Sequence, residues 1–202
     1  MALDYFYNIA LLVFLIVAID LLMRHGGYHH LKYQVLLGGL IGGAAVLGMM
    51  NPVTLDAGPI FDGRSVIISV GAFVGGPVTA LISGAIAIIY RLYIGGVGAL
   101  VGTSVIVWSA IAGTGYYYLK TRYAASSTKL YFLLAFGMIV HLGMLGLMLF
   151  LPGGISGDVI GTIALPVLTI YPVSTMLLCM LFLDQESYYI AVNELAKRET
   201  EL

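Results

Sequence analysis

Two arginines, Arg64 and Arg91, stand at either end of a long apolar stretch in a chain with few charges of any kind. A guanidinium presents a planar fork of donors that matches a carboxylate bidentately, so two of them meeting in a poorly hydrated pocket form a clamp for a small carboxylate. On one straight helix the 27 steps between them would hold the two groups about 40 Å apart. Each would then be an ordinary interfacial anchor whose head snorkels to the headgroups. If the run folds back on itself, they converge. The stretch carries a feature that bears on the choice, Gly75-Gly76-Pro77 in mid-run. Glycine is costly inside a helix, and proline removes a backbone donor and clashes with the preceding turn. Such breaks persist in membranes only where protein or a water-filled cavity satisfies the freed groups, and discontinuous helices build solute sites near the midplane of several transporter folds.

Flanking residues add detail. Asn51-Pro52 opens a polar loop that ends Asp62-Gly63-Arg64, and Gly95-Gly96 follows Arg91. Asp62 is either the group that orients the Arg64 guanidinium or a solvated loop acid. Asn51 is read as stabilising the loop backbone rather than touching a ligand. Asp20 lies near the end of an apolar stretch, where a lone acid is paired or open to interfacial water. His141 falls in mid-span and reads as a buried neutral histidine with a hydrogen-bonded partner, although intramembrane titratable groups are functional candidates by default. Tyr90, Tyr93 and Trp108 read as interfacial belt residues.

The elements that must position these residues follow from composition. Apolar residues make up 60% of 202 and charged residues 9%, against about 25% charged in a soluble protein. Mean hydropathy is +1.02. So few charges cannot coat a soluble monomer of this size. A formal charge of −1 without a basic block excludes a nucleic-acid binder. One cysteine, Cys179, excludes a disulfide framework and a cysteine zinc site. The expected fold class is therefore an all-α polytopic membrane bundle. Segments 5–23, 33–50, 66–90, 97–119, 130–151 and 160–183 are each long and apolar enough to cross. They give six spans, with the third broken or re-entrant. The first lacks a basic n-region and a small-residue cleavage site, so it reads as a retained span rather than a signal peptide.

Six single crossings put both termini on one side. Counted that way, Arg64, Lys120, Arg122, Lys129, Lys197 and Arg198 share the termini's side, and Arg24, Lys32 and Arg91 face them. The positive-inside rule then favours cytoplasmic termini. Glycines at four-residue spacing (Gly38 with Gly42, Gly39 with Gly43, Gly71 with Gly75, Gly98 with Gly102) allow close helix approach in lipid, within the bundle or across a homodimer.

Asn51-Pro52, Asp62-Gly63-Arg64, Gly75-Gly76-Pro77 and Tyr90-Arg91 followed by Gly95-Gly96-Val97-Gly98-Ala99, in this order and spacing, resemble the five-transmembrane receptor domain of the LytS–YhcK type. That domain is the membrane input module of certain bacterial histidine kinases and diguanylate cyclases. The resemblance covers about 33–184, with the first span as an additional helix. It implies a receptor for small solutes, 2-oxo acids such as pyruvate being the leading class. It implies ligand-binding roles for Arg64 and Arg91, and for the small polar positions that correspond to Gly102, Thr103 and Ser104. Gly102 offers no side chain, which implies a different ligand from relatives that carry a thiol or hydroxyl there. The helix arrangement is also similar to that of solute-binding subunits of vitamin importers, an analogy at fold level only.

Beyond Leu183 the chain turns polar. Leu181, Tyr188, Leu195 and Leu202 recur at sevens, which marks either a coiled-coil seam or an amphipathic terminus. The expected organisation is a sensor domain over 1–183 and a cytoplasmic signalling helix over 184–202. The helix would lead to an output domain or response regulator in a dimer. HExxH, GxSxG, P-loop and HxE patterns do not occur, so the expectation is a sensor module without catalytic, metal or cofactor sites. Its partners would be the bilayer and a small carboxylate. The rival reading is a small-solute transporter.

Overall fold

Lipid offers no partner to a backbone amide, so segments this apolar satisfy their own hydrogen bonds as helices. The computed structural model describes residues 17–18, 20, 31–50, 53–54, 60–61, 63–123, 129–152 and 156–200. Its elements are α1 (Leu31–Met50), a short antiparallel ribbon of β1 (Val53–Thr54) and β2 (Ile60–Phe61), α2 (Arg64–Ile94), α3 (Ala99–Arg122), α4 (Leu130–Met148) and α5 (Ser156–Thr200). The ribbon pairs Val53 with Phe61 and Thr54 with Ile60. Five helices among the described residues are long and apolar enough to cross a membrane. The count of six expected from the sequence is not reached there. Of the stretch 5–23, only Val17, Ala18 and Asp20 are described, and they are helical.

The decisive element is α2. Gly76 has φ 78° and ψ −166°, outside helical geometry, so α2 consists of two arms, 64–75 and 77–94. This φ/ψ combination is essentially confined to glycine and would cost an L-residue about 1–3 kcal/mol. Pro77 follows as the first residue of the second arm, where its missing N–H is no loss. Packing against α1 gives the directions of the arms. Leu37 meets Gly75 and Ile41 meets Gly71, whereas Gly38 meets Ile82 and Gly42 meets Ile86. As α1 advances, the first arm runs backwards and the second forwards. The arms are therefore antiparallel, joined at Gly76. One straight 31-residue rod, the alternative left open by the sequence, is excluded.

Helix α3 lies along both arms. Gly102 sits beside Arg64 and Arg91, Gly84 faces Ala110, Gly113 packs on the Ser69 carbonyl and Ala72, and the Tyr117 ring covers Gly76. A buried aromatic core ties these helices to α4 and α5. The Phe73 and Phe136 rings are 5.6 Å apart, Tyr116 lies 4.5 Å from Phe136, and Phe182 and Leu133 complete the cluster. Helix α5 keeps its helical assignment through Pro166 and Pro172 and on to Thr200. Leu181 of the seven-residue stripe packs against the core, and Tyr188 and Leu195 emerge exposed beyond it. Leu202 lies outside the described residues.

Candidate ligand site at the ends of the two arms

The fold-back brings both arginines to one end of the bundle. Arg64 opens the first arm and Arg91 is in the last turns of the second. A β-carbon built on Gly102 would lie 2.5 Å from Arg91 Nε and 3.4 Å from Arg64 Nη2. The two guanidiniums are thus no farther apart than the sum of those distances, and Gly102 is the floor on which they rest. Both arginines are half-buried and Gly102 is buried. Arg91 Nη1 donates to the Gly95 carbonyl at 2.8 Å. Gly95 and Gly96 adopt φ 71° and 87°, a turn that aims this carbonyl back at Arg91 and leads into α3.

Other sequence-predicted residues are placed differently. Thr103 is half-buried and its hydroxyl donates to the Ala99 carbonyl at 2.9 Å. Ser104 is exposed and its hydroxyl donates to the Leu100 carbonyl at 3.0 Å. Successive residues point about 100° apart around a helix. With Gly102 facing the arginines, Ser104 faces away from them. Gly75, Gly76 and Pro77 form the turn at the far end of the arms, remote from the arginines. Asn51, Pro52 and Asp62 lie outside the described residues.

Further contacts join the helices. Trp108 fastens α3 to α4: its Nε1 donates to the Val140 carbonyl at 3.0 Å and its ring packs on Gly143. His141 is fully buried. Its Nδ1 lies 2.7 Å from the Gly137 carbonyl, which can only accept, so Nδ1 carries the proton. Nε2 shares a hydrogen bond with the Ser65 hydroxyl at 3.3 Å. At the opposite end of the bundle, Lys120 pairs with Glu186 at 2.8 Å, with the two side chains only 11% and 17% exposed. The Lys120 ammonium also lies 5.4 Å from the Phe73 ring centroid. Tyr189 donates to Asp20 at 2.6 Å. The sequence signal for the Lys120 pair was no more than a basic residue at the end of one span and an acidic one just beyond another.

The architecture and its ordered motifs agree with a match over residues 16–185 to the family model described as 5TMR of 5TMR-LYT. The chain belongs to this family of five-transmembrane, LytS-type sensor domains. It is a multi-pass membrane protein of the sensory-input class. No curated protein and no solved structure matches it, so the likeness to vitamin-importer subunits carries no argument.

Proposed function

We propose that the chain is a receptor for a small carboxylate, a 2-oxo acid such as pyruvate, held by Arg64 and Arg91 above Gly102. The observation that supports this reading is the approach of both guanidiniums to a single glycine. A carboxylate between two such forks gains charge-assisted hydrogen bonds of the strong kind, and the low-dielectric surroundings strengthen them. The first arm is about 18 Å long, too short to cross a hydrocarbon core of about 30 Å. The arms therefore act as a re-entrant hairpin, and the ligand's differential affinity for one packing of that hairpin shifts the population. A dimer carries the shift through α5 to a histidine kinase or diguanylate cyclase output.

The fold-back also rearranges the topology count. Among the described residues, Lys32, Lys120, Arg122, Lys129, Lys197 and Arg198 fall at the end where α1 starts and α5 finishes, and Arg64 and Arg91 at the other. The positive-inside rule then favours a cytoplasmic end of α5 more strongly than single crossings did. The parity argument that placed the N-terminus on the same side no longer follows.

The test is thermal unfolding of the purified chain with pyruvate. A ligand at a hundredfold excess over its Kd stabilises by about 2.7 kcal/mol. Arg64→Ala and Arg91→Ala should each abolish the stabilisation while still unfolding cooperatively. Unchanged stabilisation in both variants would refute the clamp, and accumulation of labelled pyruvate by proteoliposomes would mark a transporter instead.

A further inference from the structure

Arg64 is followed directly by Ser65, which is 1% exposed and whose hydroxyl bonds to His141, 0% exposed, on α4. A histidine placed away from water among apolar helices is costly to keep, and it persists where its hydrogen bonds position something. Here both ring nitrogens are engaged, one across to the first arm and one to its own helix. The ring also meets α5. The centroids of His141 and Tyr171 lie 5.2 Å apart, edge to face. One turn away, Gly137, whose carbonyl holds Nδ1, packs directly on the backbone of Pro172. Pro172 lacks a backbone donor, so α5 is one hydrogen bond weaker at this point and easier to bend.

We propose that the Ser65–His141 hydrogen bond is the link through which occupancy of the arginine site reaches α5, with Ser65 and His141 as positioning residues rather than ligand contacts. The proposal rests on the receptor reading and adds its route. A ligand that draws Arg64 inward rotates the start of the first arm and moves the Ser65 hydroxyl. The imidazole, pinned by Gly137, follows as one body with the α4 turn that bears on Tyr171 and Pro172. The α5 helix responds where its ladder is weakest. Packed helices respond by switching between discrete arrangements rather than by graded deformation, so a sub-ångström change at Ser65 can select between two α5 poses.

The experiment uses the full chain in nanodiscs, with Cys179→Ala and spin labels at Tyr118→Cys on α3 and Tyr188→Cys on α5, both well exposed. Without ligand, Ser65→Ala should change the inter-label distance distribution, and this effect should vanish in a His141→Phe background. A Ser65→Ala that leaves the distribution unmoved, or an effect that persists undiminished with His141→Phe, overturns the link. With pyruvate, Ser65→Ala should bind within about threefold of the parent's Kd yet lose the ligand-dependent distance change. A retained change overturns the link. A parent that neither binds pyruvate nor changes refutes the receptor reading instead, and the ligand-free comparison still decides the link.

Discussion

Arg91 and Gly102 are in such close contact that a β-carbon on Gly102 would come within 2.5 Å of Arg91 Nε. The absence of a side chain here is a condition of the site. Gly102→Ala should push the Arg91 guanidinium off its seat and weaken pyruvate binding by at least tenfold. Overpacking of this kind costs about 1–3 kcal/mol, and because Arg91 is a flexible side chain in a half-open position, the stability loss should fall at the lower end. Titration calorimetry alongside thermal unfolding separates the two effects.

Gly76 combines positive φ with a tyrosine ring packed against it, and both call for glycine. Gly76→Ala should destabilise by about 1–3 kcal/mol from the backbone alone, with more added because the new methyl would lie 3.0 Å from Tyr117 Cζ. Tyr117→Ala in the same chain should relieve the second part and leave the first. The check is a double-mutant cycle by chemical or thermal denaturation in detergent.

The Lys120–Glu186 pair joins α3 to α5 with little access to water. Removing one partner leaves a charge uncompensated, which for a buried pair costs about 3–5 kcal/mol. Lys120→Met and Glu186→Leu should each destabilise towards the lower end of that range, because both side chains retain some exposure. The double variant should cost clearly less than the two singles together. Additive losses would show that the pair contributes nothing as a pair.

Cys179 is fully buried in the aromatic core. It should resist a membrane-permeant maleimide in the native state and react once the chain is unfolded in detergent with denaturant. Rapid labelling of native protein would contradict the packing of α5 on the first arm.

Much of this architecture was legible in the residues. The apolar runs located four of the five described spans within a few residues at each end. Gly75-Gly76-Pro77 marked the break, and Arg64 and Arg91 were singled out by chemistry. The direction of the chain after the break was not legible, since an apolar run of this length fits either a straight rod or two antiparallel arms. The choice depends on Ile82 and Ile86 seating on Gly38 and Gly42, contacts between residues more than 40 positions apart. Helical phase within α3 was missed for the same reason. Adjacent Gly102, Thr103 and Ser104 share a motif, but Gly102 meets the arginines whereas Ser104, two residues on, is turned away from them. The Ser65–His141 and Trp108–Val140 bonds link separate helices whose mutual rotation no local pattern encodes.

The convergence of the two arms can be measured without any ligand. Spin labels placed by Arg64→Cys and Arg91→Cys, with Cys179→Ala, report the spacing of the arm ends in a bilayer. Antiparallel arms predict a distance below about 25 Å, whereas an unbroken helix over the same residues sets it near 40 Å. A population centred at the longer value would contradict the fold-back and, with it, the shared arginine site.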